Sequence, residues 1–125
     1  MFGYLIVALG SALGGALRHG VNVGSARLLG TGWPFGTFTV NVVGSFAMGL
    51  IVGYFALRGH GSQAWLLFLT TGILGGFTTF SAFSLDVAVL FERGRLDLTV
   101  VYVLASLTLS VAGLFLALAL VRRLA

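Results

Sequence analysis

Apolar residues run through this chain in four long segments separated by short polar connections. The segments cover approximately residues 2–17, 35–57, 64–91 and 98–121. A membrane-spanning helix needs about 20 consecutive, mostly apolar residues, and the last three segments meet that length. The pattern therefore predicts an all-α membrane protein with four transmembrane helices, organised as a single domain over residues 1–125.

The first segment is the shortest of the four. It lacks the basic stretch that precedes the apolar part of a signal peptide, so we expect a retained helix. We expect this helix to end near Arg18 and His19. The stretch from Val21 to Leu29 allows either a glycine-containing connection or a further helix at the membrane interface, and its residues leave both open.

The third segment contains material that is unsuited to a straight helix. From Gly72 to Ser84 the chain reads GILGGFTTFSAFS. Glycine costs about 1 kcal/mol against alanine in a helix, and hydroxyl side chains compete for backbone hydrogen bonds. The 30 residues from Gln63 to Glu92 would span about 45 Å as one helix, against about 30 Å of hydrocarbon. We therefore predict a broken helix, with the break at Gly75 to Thr78, at a depth where such breaks often bind ions.

The composition supports insertion into a membrane. Hydrophobic residues make up 58% of the chain and charged residues only 8%, with a mean hydropathy of +1.09. Cysteine is absent, which excludes disulfides and thiolate metal sites. All seven basic residues are arginines that flank the apolar segments, so the formal charge of +4 indicates interfacial anchoring, with no nucleic-acid partner.

The arginines are almost evenly divided between the two ends of the predicted helices. One end holds four arginines and the other holds three: Arg18, Arg27, Arg93 and Arg95 against Arg58, Arg122 and Arg123. Such a balance gives hardly any preference under the positive-inside rule. We therefore expect the chain to insert in both orientations and to form an antiparallel, dual-topology homodimer.

A few polar side chains interrupt the apolar helices. Asn41 lies in the middle of the second helix, where its amide can either bond to another helix or offer two N–H donors to an anion. Hydroxyl groups recur every four residues along the fourth helix, at Tyr102, Ser106 and Ser110. A single serine in a membrane helix commonly bonds to its own backbone, but three in one line are less easily explained in this way. No nucleophile, base and orienting group occur together, so we expect no enzyme.

Several motifs, taken in order along the whole chain, resemble the Fluc (CrcB) family of fluoride channels. The third segment carries GGFTTFSAFS from Gly75 to Ser84. The other matching positions are Gly14 through Arg18, Gly36 and Thr37 followed by Asn41 and Gly44, and Glu92 through Arg95. One departure is Ala82, where members of the family often carry threonine.

The resemblance implies a passive fluoride channel that exports fluoride across a bacterial inner membrane. It also implies an antiparallel dimer with two fluoride pathways and one structural sodium ion at the centre. On this reading, the pathway is lined by Asn41, Phe80, Phe83, Tyr102, Ser106 and Ser110. The backbone carbonyls of Gly75 and Thr78 would bind the sodium ion. Arg18 is either an interfacial anchor or a charge that gathers anions at the pathway entrance.

Two other functions fit a protein of this size. A small dual-topology exporter driven by protons would need a titratable group within its spans. The first helix has none, and Asp86, which we expect to make a polar contact or to pair with an arginine, is the only acidic residue inside any predicted span. A membrane scaffold without transport would leave the broken third helix without a purpose.

Overall fold

The computed structural model describes residues 1–58 and 62–124. The regular structure that it describes is helical throughout. The elements are α1 (Phe2–Leu29), α2 (Phe35–Arg58), α3 (Gln63–Leu67), a π-helical segment (Phe68–Leu74), α4 (Gly75–Phe77), α5 (Phe80–Glu92) and α6 (Leu96–Leu124). The polar turn that we expected at residues 59–61 lies outside the described residues.

Four helical stretches are long and apolar enough to cross a membrane. These are α1, α2, α6 and the composite stretch Gln63–Glu92, which we call the third span. The four predicted transmembrane helices are therefore confirmed, and the protein is an integral membrane protein. The third span is also bent, as predicted, because it combines α3, the π-helical segment, α4 and α5.

The first helix continues well beyond its predicted end. It runs without interruption for 28 residues to Leu29, so Arg18 lies inside it. The expected end near Arg18 and His19 was wrong. The glycines that follow cost only about 1 kcal/mol each, and no proline stops the helix. The helix ends at Gly30, whose φ of 83° lies in the left-handed region that glycine adopts readily.

The break in the third span lies slightly later than the double glycine. Gly75 has helical backbone angles and Gly76 belongs to α4. The chain becomes extended at Thr78 (φ −88°, ψ 158°) and Thr79 (φ −154°, ψ 124°). The predicted break is confirmed, but its centre is at Thr78 and Thr79, because the glycines serve a close helix contact.

That close contact joins α1 to the third span. A Cβ atom on Gly76 would lie 2.6 Å from the carbonyl oxygen of Ser11, and one on Gly10 would lie 2.7 Å from the Cα of Gly72. A Cβ on Gly14 would overlap the carbonyl of Ile73. Small residues on both sides thus bring the two backbones into contact, the usual way in which membrane helices associate.

The second close pair is α2 and α6. A Cβ atom on Gly49 would lie 2.5 Å from the carbonyl oxygen of Leu114 and 2.7 Å from the Cβ of Ala117. On the same interface, a Cβ on Gly113 would lie 3.9 Å from the Cβ of Phe46, which is ordinary contact. The interface therefore requires glycine at one position and tolerates a larger residue at the other.

An aromatic cluster joins α5 and α6 near the turn between them. Phe83, Leu90 and Tyr102 are buried together, and Trp33 from the α1–α2 connection packs against them. The Trp33 and Tyr102 rings are 5.3 Å apart and nearly perpendicular. Because Trp33 reaches this cluster, the α1–α2 connection and the α5–α6 turn lie at the same end of the helices.

We expect Gly49→Ala to destabilise the protein and Gly113→Ala to leave it as stable or slightly more so. The first variant forces a methyl group into backbone atoms of α6, an overpacking that costs about 1–3 kcal/mol. The second fills available space and gains about 1 kcal/mol of helix propensity. Thermal unfolding in detergent measures both, and equal melting temperatures would contradict the close α2–α6 contact.

Candidate functional site

The side chain of Asn41 pairs with the backbone at the break of the third span. Its Nδ2 donates to the carbonyl oxygen of Thr79 at 3.0 Å, and its Oδ1 accepts from the Thr79 N–H at 2.8 Å. The amide therefore replaces the hydrogen bonds that a continuous helix would have provided. Gly44, one turn along α2, permits this approach, because a Cβ there would overlap the Thr78 methyl group.

This pairing changes the environment of two backbone carbonyls. In a continuous α-helix the Thr79 N–H would donate to the carbonyl of Gly75, and the Ala82 N–H would donate to that of Thr78. Here the first N–H is held by Asn41 and the second donates to the Oγ1 of Thr79 at 3.1 Å. The N–H groups that would normally donate to the carbonyls of Gly75 and Thr78 therefore bind other acceptors.

A groove of about 230 Å³ lies beside the break, between α2, α5 and α6. Five of the predicted pathway residues line it together. These are Asn41, Phe80, Phe83, Ser106 and Ser110, and the other lining residues are Ser45, Thr78, Thr79, Leu107 and Val111. Residues that lie far apart in the sequence are therefore brought to one surface.

The two serines line this groove, and their hydroxyl groups lack a hydrogen-bond partner among the described residues. The Oγ atoms of Ser106 and Ser110 are both buried. Thr70 and Thr99, by contrast, donate to the carbonyls four residues earlier, at 2.7 and 2.8 Å. The local backbone bond that usually accounts for a membrane serine is therefore not made by this pair.

The two phenylalanines differ in their surroundings. Phe83 is 8% exposed and belongs to the aromatic cluster, with its ring 5.1 Å from that of Tyr102. Phe80 is 73% exposed in the single chain, and its ring centroid lies 5.5 Å from that of Phe83. The pair thus continues from the buried cluster to the open side of the groove.

Tyr102 lies one turn before Ser106 on α6, at the end of the line of hydroxyls. It is fully buried, and its hydroxyl donates to the Oδ2 of Asp86 at 2.9 Å. Tyr102 is not among the residues that line the groove. The polar contact predicted for Asp86 is confirmed, and it is a contact with tyrosine.

Arg18 is not among the residues that line the groove. Its Nε donates to the carbonyl oxygen of Gly76 at 3.1 Å, and the side chain is half-buried. Asn41 and Arg18 therefore approach the broken segment from two different helices. This position inside α1, and the bond to the third span, were missed by the sequence analysis.

Sequence reasoning also missed the role of Thr79. The residue pairs with Asn41, caps the first turn of α5 through its Oγ1, and lines the groove. A usable signal exists in the sequence, because threonine directly after a helix-breaking stretch is a preferred N-cap residue. Its partner in α2 could not be predicted from the spacing.

Comparisons with known proteins identify the family of the chain. The family model described as "CrcB-like protein, Camphor Resistance (CrcB)" matches residues 5–118. The chain is 57% identical over 121 residues to the fluoride-specific ion channel FluC 2 of Nitrobacter hamburgensis, covering 97% of this chain and 98% of that one. It is 59% identical over 119 residues to the fluoride-specific ion channel FluC of Rhodopseudomonas palustris, covering 95% and 96%.

A third relative, the fluoride-specific ion channel FluC of Methylobacterium nodulans, is 54% identical over 123 residues, and the alignment covers 98% of both chains. The similarity therefore extends over nearly the whole sequence and includes all four spans. The motifs along the whole chain predicted this family, and on this evidence the chain belongs to the CrcB family.

Proposed function

We propose that this protein is a passive, fluoride-selective channel of a bacterial inner membrane, which lets fluoride leave the cytoplasm. The observation that carries this proposal is the pair of unpartnered hydroxyls, Ser106 and Ser110, in the groove beside Asn41. The names of its relatives, which are fluoride-specific ion channels, support the same substrate.

Hydrogen-bond donors without charge suit this anion. Fluoride is small and strongly hydrated, so a narrow pathway must replace its water molecules with donors from the protein. Each serine hydroxyl can donate one hydrogen bond, and the Asn41 amide has a second N–H beyond the one given to Thr79. The groove can therefore partly replace a hydration shell without holding the ion as tightly as a fixed positive charge would.

The aromatic rings add a weaker attraction. The edge of a phenyl ring carries partial positive charge, which can face an anion. Phe80 and Phe83 both line the groove next to the donors. Tyr102 extends the line of hydroxyls by one turn, and since its proton is donated to Asp86, we propose that it shapes the end of the pathway.

A neutral groove favours passive conduction over proton coupling. The described residues that line it carry no titratable side chain. Asp86, the acidic residue within the third span, is instead bonded to Tyr102. A carrier driven by protons would need its titratable group on the transport route.

The helix break fits a structural sodium ion. Backbone carbonyls are hard oxygen ligands, and broken membrane helices often present them to alkali cations. The carbonyls of Gly75 and Thr78 are suited to this because their usual helical donors are engaged by Asn41 and Thr79. Two carbonyls from each of two copies would supply four oxygen ligands, and a bound sodium ion would offset the repulsion between those oxygens.

The arginine distribution supports a dual-topology dimer. Arg18 lies in the interior of α1, well before the last turn that holds Arg27, and so no longer counts among the arginines at the helix ends. Three arginines then remain at each end: Arg27, Arg93 and Arg95 at one, and Arg58, Arg122 and Arg123 at the other. Because the two ends hold equal numbers of arginines, and because acidic residues contribute little to topology, the positive-inside rule gives no preferred orientation. We propose that two oppositely inserted copies pair as an antiparallel homodimer.

Liposomes that contain the purified protein should release fluoride down its gradient and retain chloride. Ion-selective electrodes for the two anions measure the efflux after a potassium ionophore is added. The same experiment with a protonophore tests coupling, and the fluoride rate should not depend on a proton gradient. Equal chloride efflux, or fluoride efflux that requires a proton gradient, would contradict the proposal.

We expect Ser106→Ala to reduce fluoride efflux about tenfold, because a hydrogen bond to an ion contributes about 1.5–3 kcal/mol. The melting temperature should not fall, since the hydroxyl that is removed has no partner among the residues that the structure describes. Thr99→Val on the same helix is the matched control. It removes a hydroxyl that bonds to the backbone, so stability should fall slightly while efflux is unchanged. If Ser106→Ala lowers stability and leaves efflux intact, the serine is structural.

A single cysteine at Leu124→Cys should react with a membrane-impermeant thiol reagent from both sides of the membrane. The chain has no other cysteine, so labelling reports this position alone. In sealed cells about half of the molecules should be labelled, and the remainder should become accessible only when the membrane is opened. Labelling from one face only would rule out dual topology.

A further inference from the structure

The end of α4 leaves backbone carbonyls that need partners. The last four carbonyls of a helix have no donor within the helix. The carbonyl of Leu74 accepts from the N–H and the Oγ1 of Thr78, at 3.0 and 2.8 Å. The carbonyl of Gly76 accepts from the Nε of Arg18 at 3.1 Å. One of the carbonyls at the break is therefore held by a side chain from another helix.

Arg18 reaches this carbonyl because α1 and the third span are in backbone contact. Ser11, Gly15 and Arg18 are spaced at i, i+4 and i+7, so they share one face of α1. A Cβ on Gly76 would lie 2.6 Å from the carbonyl oxygen of Ser11 and 3.1 Å from the backbone N of Gly15. The face that carries Arg18 is thus the face against which the end of α4 packs.

We propose that Arg18 is a positioning residue for the cation site at the helix break. By binding the carbonyl of Gly76 it fixes the peptide groups between Gly75 and Thr78, so that the carbonyls of those two residues remain available to a sodium ion. This inference rests on the proposed sodium site, and it assigns to Arg18 a contribution that neither an interfacial anchor nor an entrance charge would make.

The contribution of Arg18 comes from its N–H group rather than from its charge. A guanidinium close to a cation site repels the cation, so the charge alone would weaken sodium binding. The hydrogen bond acts in the opposite direction, because it restricts the break to one arrangement before the ion binds. The two effects can be separated by substitution.

Two substitutions of similar length separate the donor from the charge. In Arg18→Gln the side-chain nitrogen stands at the same number of bonds from Cα as the Nε of arginine, so a neutral donor is retained. In Arg18→Met a side chain of the same reach has no donor. Arg27→Met, at the exposed last turn of α1, is the control for loss of an arginine.

Sodium binding is measured by the rise in melting temperature of the purified protein as N-methylglucamine is replaced by sodium at constant ionic strength. A ligand that binds only the folded protein raises its stability with concentration. The sodium concentration that gives half-maximal fluoride efflux from liposomes provides a second measurement. The first of the two does not depend on conduction.

We expect Arg18→Met to raise the sodium requirement about tenfold, equivalent to about 1.4 kcal/mol. Arg27→Met should stay close to the original protein, and Arg18→Gln should need no more sodium than the original protein, because it keeps the donor and removes the repelling charge. Equal shifts in Arg18→Gln and Arg18→Met would overturn the proposal, because the retained donor would then make no difference, and so would the absence of any rise in Arg18→Met. If Arg18→Met does not fold, Arg18→Leu takes its place, since leucine also lacks a donor.

The outcome also separates this inference from the proposed function. If the unsubstituted protein gains no stability from sodium, the sodium site itself is wrong, and the role of Arg18 falls with it. If sodium stabilises the unsubstituted protein and Arg18→Met responds in the same way, the site stands and only the role of Arg18 is refuted.

Discussion

The pairing of backbone polar groups inside an apolar span is the constraint on which the rest of this structure depends. An unpaired N–H or carbonyl in hydrocarbon costs several kcal/mol, so a helix can be interrupted there only if other groups replace its hydrogen bonds. Asn41 does this for Thr79 with one donor and one acceptor. Thr79 in turn caps α5, and Arg18 holds the carbonyl of Gly76. The break is therefore a set of specific pairings and not a loosening of the helix.

These pairings require helices that approach unusually closely. Gly44 brings α2 against Thr78, and Gly76 brings the third span against the backbone of α1. A larger side chain at either place would hold the partner helix away from the break. The hydrogen bonds at the break therefore depend on the packing of these small residues. A displacement of either helix would separate the Asn41 or Arg18 side chain from its backbone partner.

Hydrophobic patterning was sufficient to predict four spans, and the glycine and hydroxyl residues of the third span, together with its length, predicted that it is broken. Residue chemistry identified Asn41 and the serines of α6, because an amide and aligned hydroxyls are conspicuous in an apolar helix. The true end of α1 was not predictable, since isolated glycines are compatible with both a helix and a turn. The position of the break was misjudged for a related reason, as Gly75 and Gly76 remain helical and serve packing. The partners of Thr79 and Arg18 depend on how separate helices meet, which periodicity within one helix does not contain.

The π-helical segment ahead of the break has a consequence for how the chain tolerates changes in length. There the Gly75 N–H donates to the carbonyls of Gly72 and Thr70, three and five residues earlier, in place of the carbonyl four residues earlier that an α-helix would use. Such a segment keeps its backbone hydrogen bonds although each turn contains more residues than a turn of α-helix. Loss of one residue between Phe68 and Leu74 can therefore convert part of it to ordinary α-helix while leaving Asn41 and Thr79 paired. In evolutionary terms, this stretch is where the third span can change length without losing its break.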